Sequence, residues 1–245
     1  MAVTSGESES ESYLESLSDL LVGMLFIFII ILMVFALNYR VAQQQKQKLT
    51  ERLANAAELR SSLLSDLKEQ LQRTGVPVSI DPRNGVMHLP ESLLFDSGSA
   101  SFKPGGTGAL SVLGRALGRD LPCYAYGGRP RHCPSDSRAI IDTLLIEGHT
   151  DNVPIRTASF ADNWDLSAAR SKVTFEFLLH ADPALAAIQN ERQEPLLSIG
   201  AYGSTRPVAP NNTDAGRRKN RRIDLRFVIG APSIVRNGST LVIKE

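Results

Sequence analysis

An apolar stretch close to the N-terminus, residues 20–37, decides what kind of protein this chain can be, because its 18 residues carry no charged side chain. At about 1.5 Å per residue, a helix of that length covers about 27 Å, close to the hydrocarbon thickness of a membrane. We therefore predict one transmembrane helix over residues 17–39, with Tyr39 at the membrane interface. The alternative is a cleaved signal peptide. It is disfavoured because residues 1–18 contain no Lys or Arg but several Glu.

The orientation of this helix is contested by two features of the sequence. Lys and Arg favour the cytoplasmic side of a span. Here they follow the apolar stretch, at Arg40, Lys46, Lys48 and Arg52. Cys123 and Cys133 bracket the turn-rich stretch CYAYGGRPRHC, which predicts a disulfide-closed loop, with two unpaired thiols as the alternative. A disulfide favours an oxidising compartment such as the periplasm, so the two features point in opposite directions.

The segments on either side of the predicted span differ in composition. Residues 1–16 are rich in Ser and Glu and predict a disordered tail. Residues 40–74 lack Pro and Gly and predict a helical linker. Apolar residues in the linker follow a four-three spacing, at Leu49, Leu53, Ala56, Leu63 and Leu67. The spacing is typical of a short parallel coiled coil, interrupted at Arg60, or of a solitary spacer helix.

The remaining sequence, residues 75–230, alternates strand and helix patterns. VSIDPRNGVMHL predicts a hairpin around Asn84 and Gly85. AIIDTLLIEGH, LLSIGAYG and RRIDLRFVI predict three further strands. Such alternation indicates one α/β domain, an α+β sandwich. Residues 231–245 form a C-terminal tail, in which LVIK has the pattern of a short strand.

Two helices are predicted within this domain. Residues 106–121 place Leu at intervals that fit one face of a helix. LSAARSKVTFEFLLH predicts a second helix, with Asp165 or Ser167 as its N-terminal cap. The net charge of the whole chain is +1, which gives no reason to expect a nucleic-acid partner.

Four polar motifs occur in order along the domain: LPESLLFDSGSASFKPGG, IEGHTDNVP, NWDLSAARS and YGSTRPVAPNNTDAGRRKNRRIDL. Together they resemble the C-terminal domain of the OmpA and MotB family, which anchors proteins to peptidoglycan. The resemblance runs over residues 89–229, more than half of the chain. NWDLSAAR is closer to the motor-protein branch than to porin-type OmpA. The resemblance therefore implies an OmpA-like peptidoglycan-binding domain located in the periplasm.

The resemblance also implies a binding site. Peptidoglycan stem peptides carry diaminopimelate, which presents an ammonium beside a carboxylate, so its site needs one anion and one cation. In the family these come from the HTD and LSxxR motifs, here Asp151 and Arg170. Arg suits a carboxylate because its planar fork binds two oxygens. Thr150 and Arg222 are expected to support the site, and Ser97 in the FDSG loop is expected to contribute its hydroxyl or backbone.

Each of these residues also has an ordinary structural interpretation. Asp151 alone could cap a turn, and Arg170 alone could be a solvated charge on a helix. His149 beside Asp151 suggests a catalytic pair or a metal ligand. No nucleophile motif accompanies His149, and no second His lies at ligand spacing, so a structural His is favoured. We accordingly expect no enzyme activity, no metal and no cofactor.

Asp19 stands at the start of the apolar stretch. Taken alone, it could be a first-turn carboxylate that the helix dipole stabilises, or an ionisable group at membrane depth, which is usually functional. Motor-protein B subunits have a similar span whose early Asp carries protons, so the resemblance implies that role for Asp19. It further implies a homodimer inside a ring of A-type (ZorA/MotA-like) subunits. The protein would lie in the inner membrane with a cytoplasmic N-terminus and a periplasmic C-terminal domain.

Two machines use such a subunit, the flagellar stator and the Zorya anti-phage defence motor. The flagellar MotB subunit usually has a basic N-terminus and an aromatic-rich entry to its span. This chain instead has an acidic Ser/Glu segment, LESLSD before the span, and the cysteine loop. These features favour a ZorB-like subunit. A passive wall tether without ion conduction is the alternative from another class, and a peptidoglycan-cleaving enzyme lacks a recognisable catalytic constellation.

Overall fold

The structure, a computed structural model, describes residues 5–127, 130–135, 137–230, 234–237 and 240–243. Contacts divide the chain into two units. The larger unit is Leu53–Ala231, and the other combines Met1–Arg52 with Pro232–Glu245. The second unit includes a two-stranded antiparallel sheet, in which Ile234–Asn237 pairs with Thr240–Ile243. The LVIK pattern in the C-terminal tail therefore corresponds to part of a strand.

The first helix, α1, is Ser5–Arg73. It is the one described helix whose length and composition would let it cross a membrane, and its apolar side chains between residues 17 and 37 are exposed. The structure corrects the predicted disordered tail, because residues 5–16 are helical. Glu is a good helix former, and adding residues to an existing helix avoids the free-energy cost of nucleating a new one. The Ser/Glu-rich composition alone does not reveal this extension.

The larger unit contains a mixed five-stranded sheet with four more helices. In chain order the elements are β1 Ser79–Asp81, β2 Val86–Pro90, α2 Glu91–Leu94, α3 Pro104–Asp120, β3 Ile141–His149, α4 Asn163–Ala181, β4 Leu197–Ala201, α5 Asp214–Asn220 and β5 Arg222–Ile229. The strand order is β1-β2-β5-β3-β4, with β3 and β4 parallel and the other pairs antiparallel. Helices α3 and α4 pack together, and α4 lies on β3 and β4. The predicted α/β fold class is thus confirmed.

The β1–β2 hairpin forms where the Asn-Gly pair predicted it. Its turn occupies residues 82–85, because Asp81 pairs directly with Val86. The Asp81 carboxylate accepts a hydrogen bond from the Asn84 backbone N–H at 3.2 Å. Gly85 has a φ of +69°, a conformation that costs glycine little and most other residues more.

The predicted cap of α4 was wrong by a few residues. Asp162 is the N-cap, and its carboxylate accepts the backbone N–H groups of Trp164 and Asp165. Asp165 instead accepts the N–H of Ala161 at 2.9 Å. The two carboxylates therefore bind donors on either side of the helix start, which satisfies groups that a helix leaves unpaired.

The end of α1 belongs to the core of the larger unit rather than to a coiled coil or an isolated spacer. Its buried side chains are Leu63, Leu64, Leu67 and Leu71. Arg60, which seemed to interrupt the pattern, is itself buried and donates to the carbonyls of Arg83 at 2.9 Å and Phe227 at 3.3 Å. A helical stripe of Leu can be covered by a partner helix or by a domain, and here the domain covers it.

Leu67→Ala should show that this helix end is part of the folding unit. Leu67 is fully buried, so the substitution leaves a cavity and should lower the free energy of unfolding by about 2–5 kcal/mol. Urea denaturation of the full chain in detergent, followed by tryptophan fluorescence, measures the loss. Leu53→Ala, at a side chain 41% exposed in the same helix, is the control and should change little. If both variants lost the same free energy of unfolding, the end of α1 would not be part of the folded core.

Candidate functional site

Four charged residues meet at one edge of the sheet. Asp151 lies two residues after the end of β3, Arg221 directly precedes β5, and Glu91 opens α2 directly after β2. Arg170 lies on α4, which packs against β3. Because β3 and β5 are antiparallel neighbours, the end of one lies beside the start of the other.

These four side chains form a continuous series of ion pairs, here called the ion-pair network. Arg221 Nη1 lies 2.5 Å from Asp151 Oδ2, and Arg221 Nε lies 2.5 Å from Glu91 Oε2. The other oxygen of Glu91 accepts a hydrogen bond from Arg170 Nη2. The network alternates negative and positive groups and carries no net charge. A zwitterionic ligand can therefore replace an ion pair inside the network, and no charged group is left without a partner.

Arg170 forms the buried end of the network. Its side chain is 2% exposed, and it donates from Nε to the Ser99 carbonyl at 2.8 Å and from Nη2 to the Asp96 carbonyl at 3.3 Å. Its guanidinium carbon also lies 5.2 Å from the centre of the Phe95 ring. Burial lowers the pKa of Arg170, while the charge of Glu91 opposes that shift. A guanidinium held by this many partners keeps a fixed orientation.

Asp151 is held by the loop that it begins. Its Oδ1 accepts the backbone N–H of Val153 at 3.0 Å, and its carbonyl accepts from Asn163 Nδ2 at 3.2 Å. Thr150, predicted as a support, is buried and donates its hydroxyl to the Asp151 carbonyl at 2.8 Å. The Thr150 N–H donates to the Gly203 carbonyl at 2.8 Å, which ties this loop to the chain after β4.

Arg221 is the more accessible cation of the network, with its side chain 30% exposed. Burial opposes its protonation, but the hydrogen bond to Asp151 and the charge of Glu91 raise the pKa of Arg221 above its usual value. An incoming carboxylate would therefore meet Arg221 first. A ligand ammonium would in turn compete with Arg221 for Asp151.

Two of the predicted site residues are not brought into the network. Ser97 is exposed in the loop after Phe95, and carbonyls from this loop, not the Ser97 side chain, receive Arg170. Arg222 was expected to support the site, but it donates to Asp224 at 3.0 Å and to the Arg206 carbonyl at 3.3 Å. Its neighbour Arg221 takes the expected place, because successive side chains of an extended chain point in opposite directions.

A second buried group lies on the other side of the same strands. Glu147 is fully buried and pairs through both oxygens with Arg226, at 2.7 and 2.8 Å. Burial alone would raise the pKa of Asp224, but contacts with His149 and His88 and the charge of Arg222 hold that pKa well below its usual range. The Glu147–Arg226 pair joins β3 to β5, and the contact of Asp224 with His88, at 2.6 Å, joins β5 to β2.

His149 belongs to this second group. Among the described residues, neither ring nitrogen of His149 has a hydrogen-bond partner, and Nε2 lies 3.3 Å from Asp224 Oδ2. The ring stacks on Tyr202, with centroids 5.3 Å apart. Glu147, His149 and Asp224 stand close enough to share a metal ion. Because Arg226 and Arg222 already neutralise the two carboxylates, the donor set suits a metal cation poorly.

The predicted cysteine pair lies away from the network. Cys123 and Cys133 form a disulfide that closes a loop after α3. His132 within that loop has Nε2 at 2.8 Å from the Arg119 carbonyl near the end of α3. Arg119 also binds Gln70 near the end of α1, so the loop adjoins the region where α1 enters the core.

Two bacterial motility proteins are similar in sequence to this chain. No family model matches the sequence. Motility protein B of Bacillus subtilis is 31% identical over 140 residues, which cover 57% of this chain and 43% of that protein. Motility protein B of Helicobacter pylori strain J99 is 27% identical over 196 residues, covering 78% of this chain and 65% of that protein. The matched part of the chain thus spans 43% of one relative and 65% of the other.

The fold also has a counterpart among solved structures. The crystal structure of a MotB-like protein from Desulfovibrio vulgaris matches with a TM-score of 0.51 and 24% sequence identity. The match covers 70% of this chain and 96% of the other. Sequence and fold together support the resemblance to MotB/OmpA-like proteins. The likeness in fold says nothing by itself about ligands.

Proposed function

We propose that this chain is a stator B subunit that carries ions at Asp19 and anchors to peptidoglycan through the ion-pair network. The observation that carries the proposal is the network itself, in which the folded chain joins Asp151 to Arg170 through Arg221 and Glu91. The same chain has a long apolar helix with one carboxylate at the start of its uncharged stretch. A wall anchor and an ion-carrying helix in one chain are the two parts that a stator needs.

Wall binding follows from the chemistry of diaminopimelate. Its side-chain carboxylate would meet the guanidinium groups of Arg170 and Arg221, and its ammonium would meet Asp151. The network has no net charge before or after a zwitterion binds, so no overall charge attraction draws the ligand in. The affinity comes from charge-assisted hydrogen bonds to the ligand that replace those within the network. A ligand carrying only one of the two charges would leave a buried group unpaired.

Ion transport would depend on Asp19. Asp19 is an ionisable group at the edge of the apolar stretch, and ionisable groups at membrane depth are usually functional. Moving one charge through about 100 mV yields roughly 2.3 kcal/mol, enough to drive a conformational cycle in a partner. We propose a homodimer within a ring of A-type (ZorA/MotA-like) subunits. The protein would lie in the inner membrane, with its N-terminus in the cytoplasm and the larger unit in the periplasm.

Asp19→Asn should abolish ion flux in liposomes that contain this chain and its A-type partner. Asn has nearly the same shape but cannot take up and release a proton, so a carrier role is lost entirely. Flux is measured with a pH-sensitive dye trapped in the liposomes while a potential is imposed. Glu15→Gln is the matched control, because it removes a carboxylate four positions earlier and should leave the flux unchanged.

Other outcomes of this experiment would favour the passive tether. If Asp19→Asn conducts as well as the native chain, the ion-carrier proposal is wrong. Asp19 also cannot be a helix cap, because it lies inside α1. A tether would also tolerate this substitution in cells while still failing when Asp151 is replaced. A motor should fail with either change.

Of the two machines, we propose the Zorya-type defence motor, with a ZorB-like subunit, and keep the flagellar stator as the alternative. The acidic N-terminal segment and the cysteine loop, which is closed by a disulfide, are the features that favour defence. Deleting the gene should increase plaque formation by phage without reducing swimming. Loss of swimming with unchanged plaque counts would favour the flagellar stator instead.

A further inference from the structure

Trp164 is the single tryptophan of the chain, and 49% of it is exposed although it lies beside the ion-pair network. Its backbone N–H is bound by Asp162 at 2.8 Å, which fixes the start of α4. The indole packs against Gly203, where a Cβ would stand 3.5 Å from Trp164 Cδ2. The ring is therefore supported from one side and open to solvent on the other.

The position of Trp164 relative to Asp151 is set by a direct link. Asn163 Nδ2 donates to the carbonyls of Asp151 at 3.2 Å and Val153 at 3.1 Å. Val153 is also more than half exposed, so the loop adds a second apolar group at the same rim. The first turn of α4 and the loop that carries Asp151 thus form one connected surface.

Trp164 and Arg170, the buried end of the network, lie on the same helix, α4. Trp164 lies six positions before Arg170, which corresponds to about 9 Å along the helix axis and about 120° around it. In a peptidoglycan stem, two amino acids separate diaminopimelate from the sugar, a span of about 7 Å when extended, with the lactyl link in addition. Trp164 packs on Gly203, whose carbonyl accepts the Thr150 N–H at 2.8 Å next to Asp151, so the sugar of a stem whose diaminopimelate binds at Asp151 can reach the indole.

We propose that Trp164 stacks on a sugar ring of the glycan strand and thereby makes the site select glycan-linked stem peptides over free ones. The inference rests on the proposed wall binding. A pyranose has one face of C–H groups, and the face of an indole carries the negative part of its quadrupole, so the two faces attract and exclude water from each other. The charged network binds the amino acid, and the tryptophan adds the carbohydrate contact.

Isothermal titration of the full chain in detergent with two soluble probes tests this. One probe is the tripeptide L-alanyl-D-isoglutamyl-meso-diaminopimelate, and the other is the same tripeptide attached to its disaccharide. The native chain should bind the disaccharide-linked peptide about tenfold more tightly. Trp164→Ala should reduce that ratio to about one while keeping the affinity for the free tripeptide. Trp164→Phe should keep most of the preference and guards against a folding defect.

A matched control is Tyr126→Ala, which removes an equally exposed aromatic side chain, in the cysteine-loop region, and should not alter the ratio. Equal binding of both probes by the native chain would overturn the inference and leave wall binding intact. A Trp164→Ala variant that weakens both probes alike would overturn it too, because the tryptophan would then only support the network. If the native chain binds neither probe, the proposed wall binding itself fails.

Discussion

Replacing Arg170 with Met should both destabilise the larger unit and abolish its binding to peptidoglycan. The substitution leaves one oxygen of Glu91 and the carbonyls of Ser99 and Asp96 without their donor in a buried site. Breaking a buried ion pair by removing one partner costs about 3–5 kcal/mol. Urea denaturation followed through the fluorescence of Trp164 measures the loss of free energy of unfolding.

The control for Arg170→Met lies on the same helix. Lys172 is 64% exposed and pairs with Glu176, so Lys172→Met should change the free energy of unfolding by about 0.5 kcal/mol or less. Arg170→Lys should fall between the two, because Lys keeps the charge but not the planar fork. If Arg170→Met were as stable as the native chain, the ion-pair network would not stabilise the larger unit.

Gly148→Ala is expected to have the second large effect, because β3 and α4 touch at this glycine. A Cβ there would stand 2.1 Å from the Ser167 carbonyl oxygen and 2.6 Å from Ser171 Oγ. A backbone atom cannot turn aside, so α4 would have to move away from the strand. We expect a loss of about 3 kcal/mol or more in stability. Binding should also fall, because Arg170 travels with the helix while Asp151 stays with the strand.

Gly200→Ala provides the comparison for this prediction. Gly200 lies on the neighbouring strand β4, and a Cβ there would meet its nearest neighbour, a methyl group of Leu145, at 3.6 Å. That distance is ordinary contact, so stability should change by less than about 1 kcal/mol. Thermal denaturation of Gly148→Ala and Gly200→Ala under the same conditions measures the difference in stability. Similar melting temperatures for both would show that α4 can adjust at no cost.

The two ends of the ion-pair network could be identified from sequence, but its middle could not. Asp151 and Arg170 stand in motifs that the family resemblance singles out. Glu91 and Arg221 look like ordinary surface charges, since nothing in their local spacing shows that β2 and β5 bring them together. The signals that could have found them are the Glu directly after a predicted strand and the first Arg of NRR. Arg222 was predicted instead, but the side chain of Arg221 joins the network, because neighbouring residues of an extended chain face opposite sides.

The role of α1 shows another limit of sequence reasoning. The four-three spacing of Leu63 and Leu67 correctly indicated a helix with one apolar face. The same pattern cannot say whether that face meets a second helix or a domain, because both bury the same stripe. Arg60 looked like an interruption, yet it is buried because carbonyls of Arg83 and Phe227 lie within reach. Such partners are far away in sequence, so only the fold reveals them.

Binding to purified peptidoglycan sacculi, native chain against Asp151→Asn, tests the central claim most directly. The detergent-solubilised chain is sedimented with sacculi at increasing concentrations, and Glu176→Gln, an exposed carboxylate on α4, serves as the control. Loss of a charge-assisted hydrogen bond costs about 1.5–3 kcal/mol, so Asp151→Asn should weaken binding about 10- to 100-fold while Glu176→Gln binds as the native chain does. Equal binding by a folded Asp151→Asn variant would contradict the claim that the ion-pair network holds the cell wall.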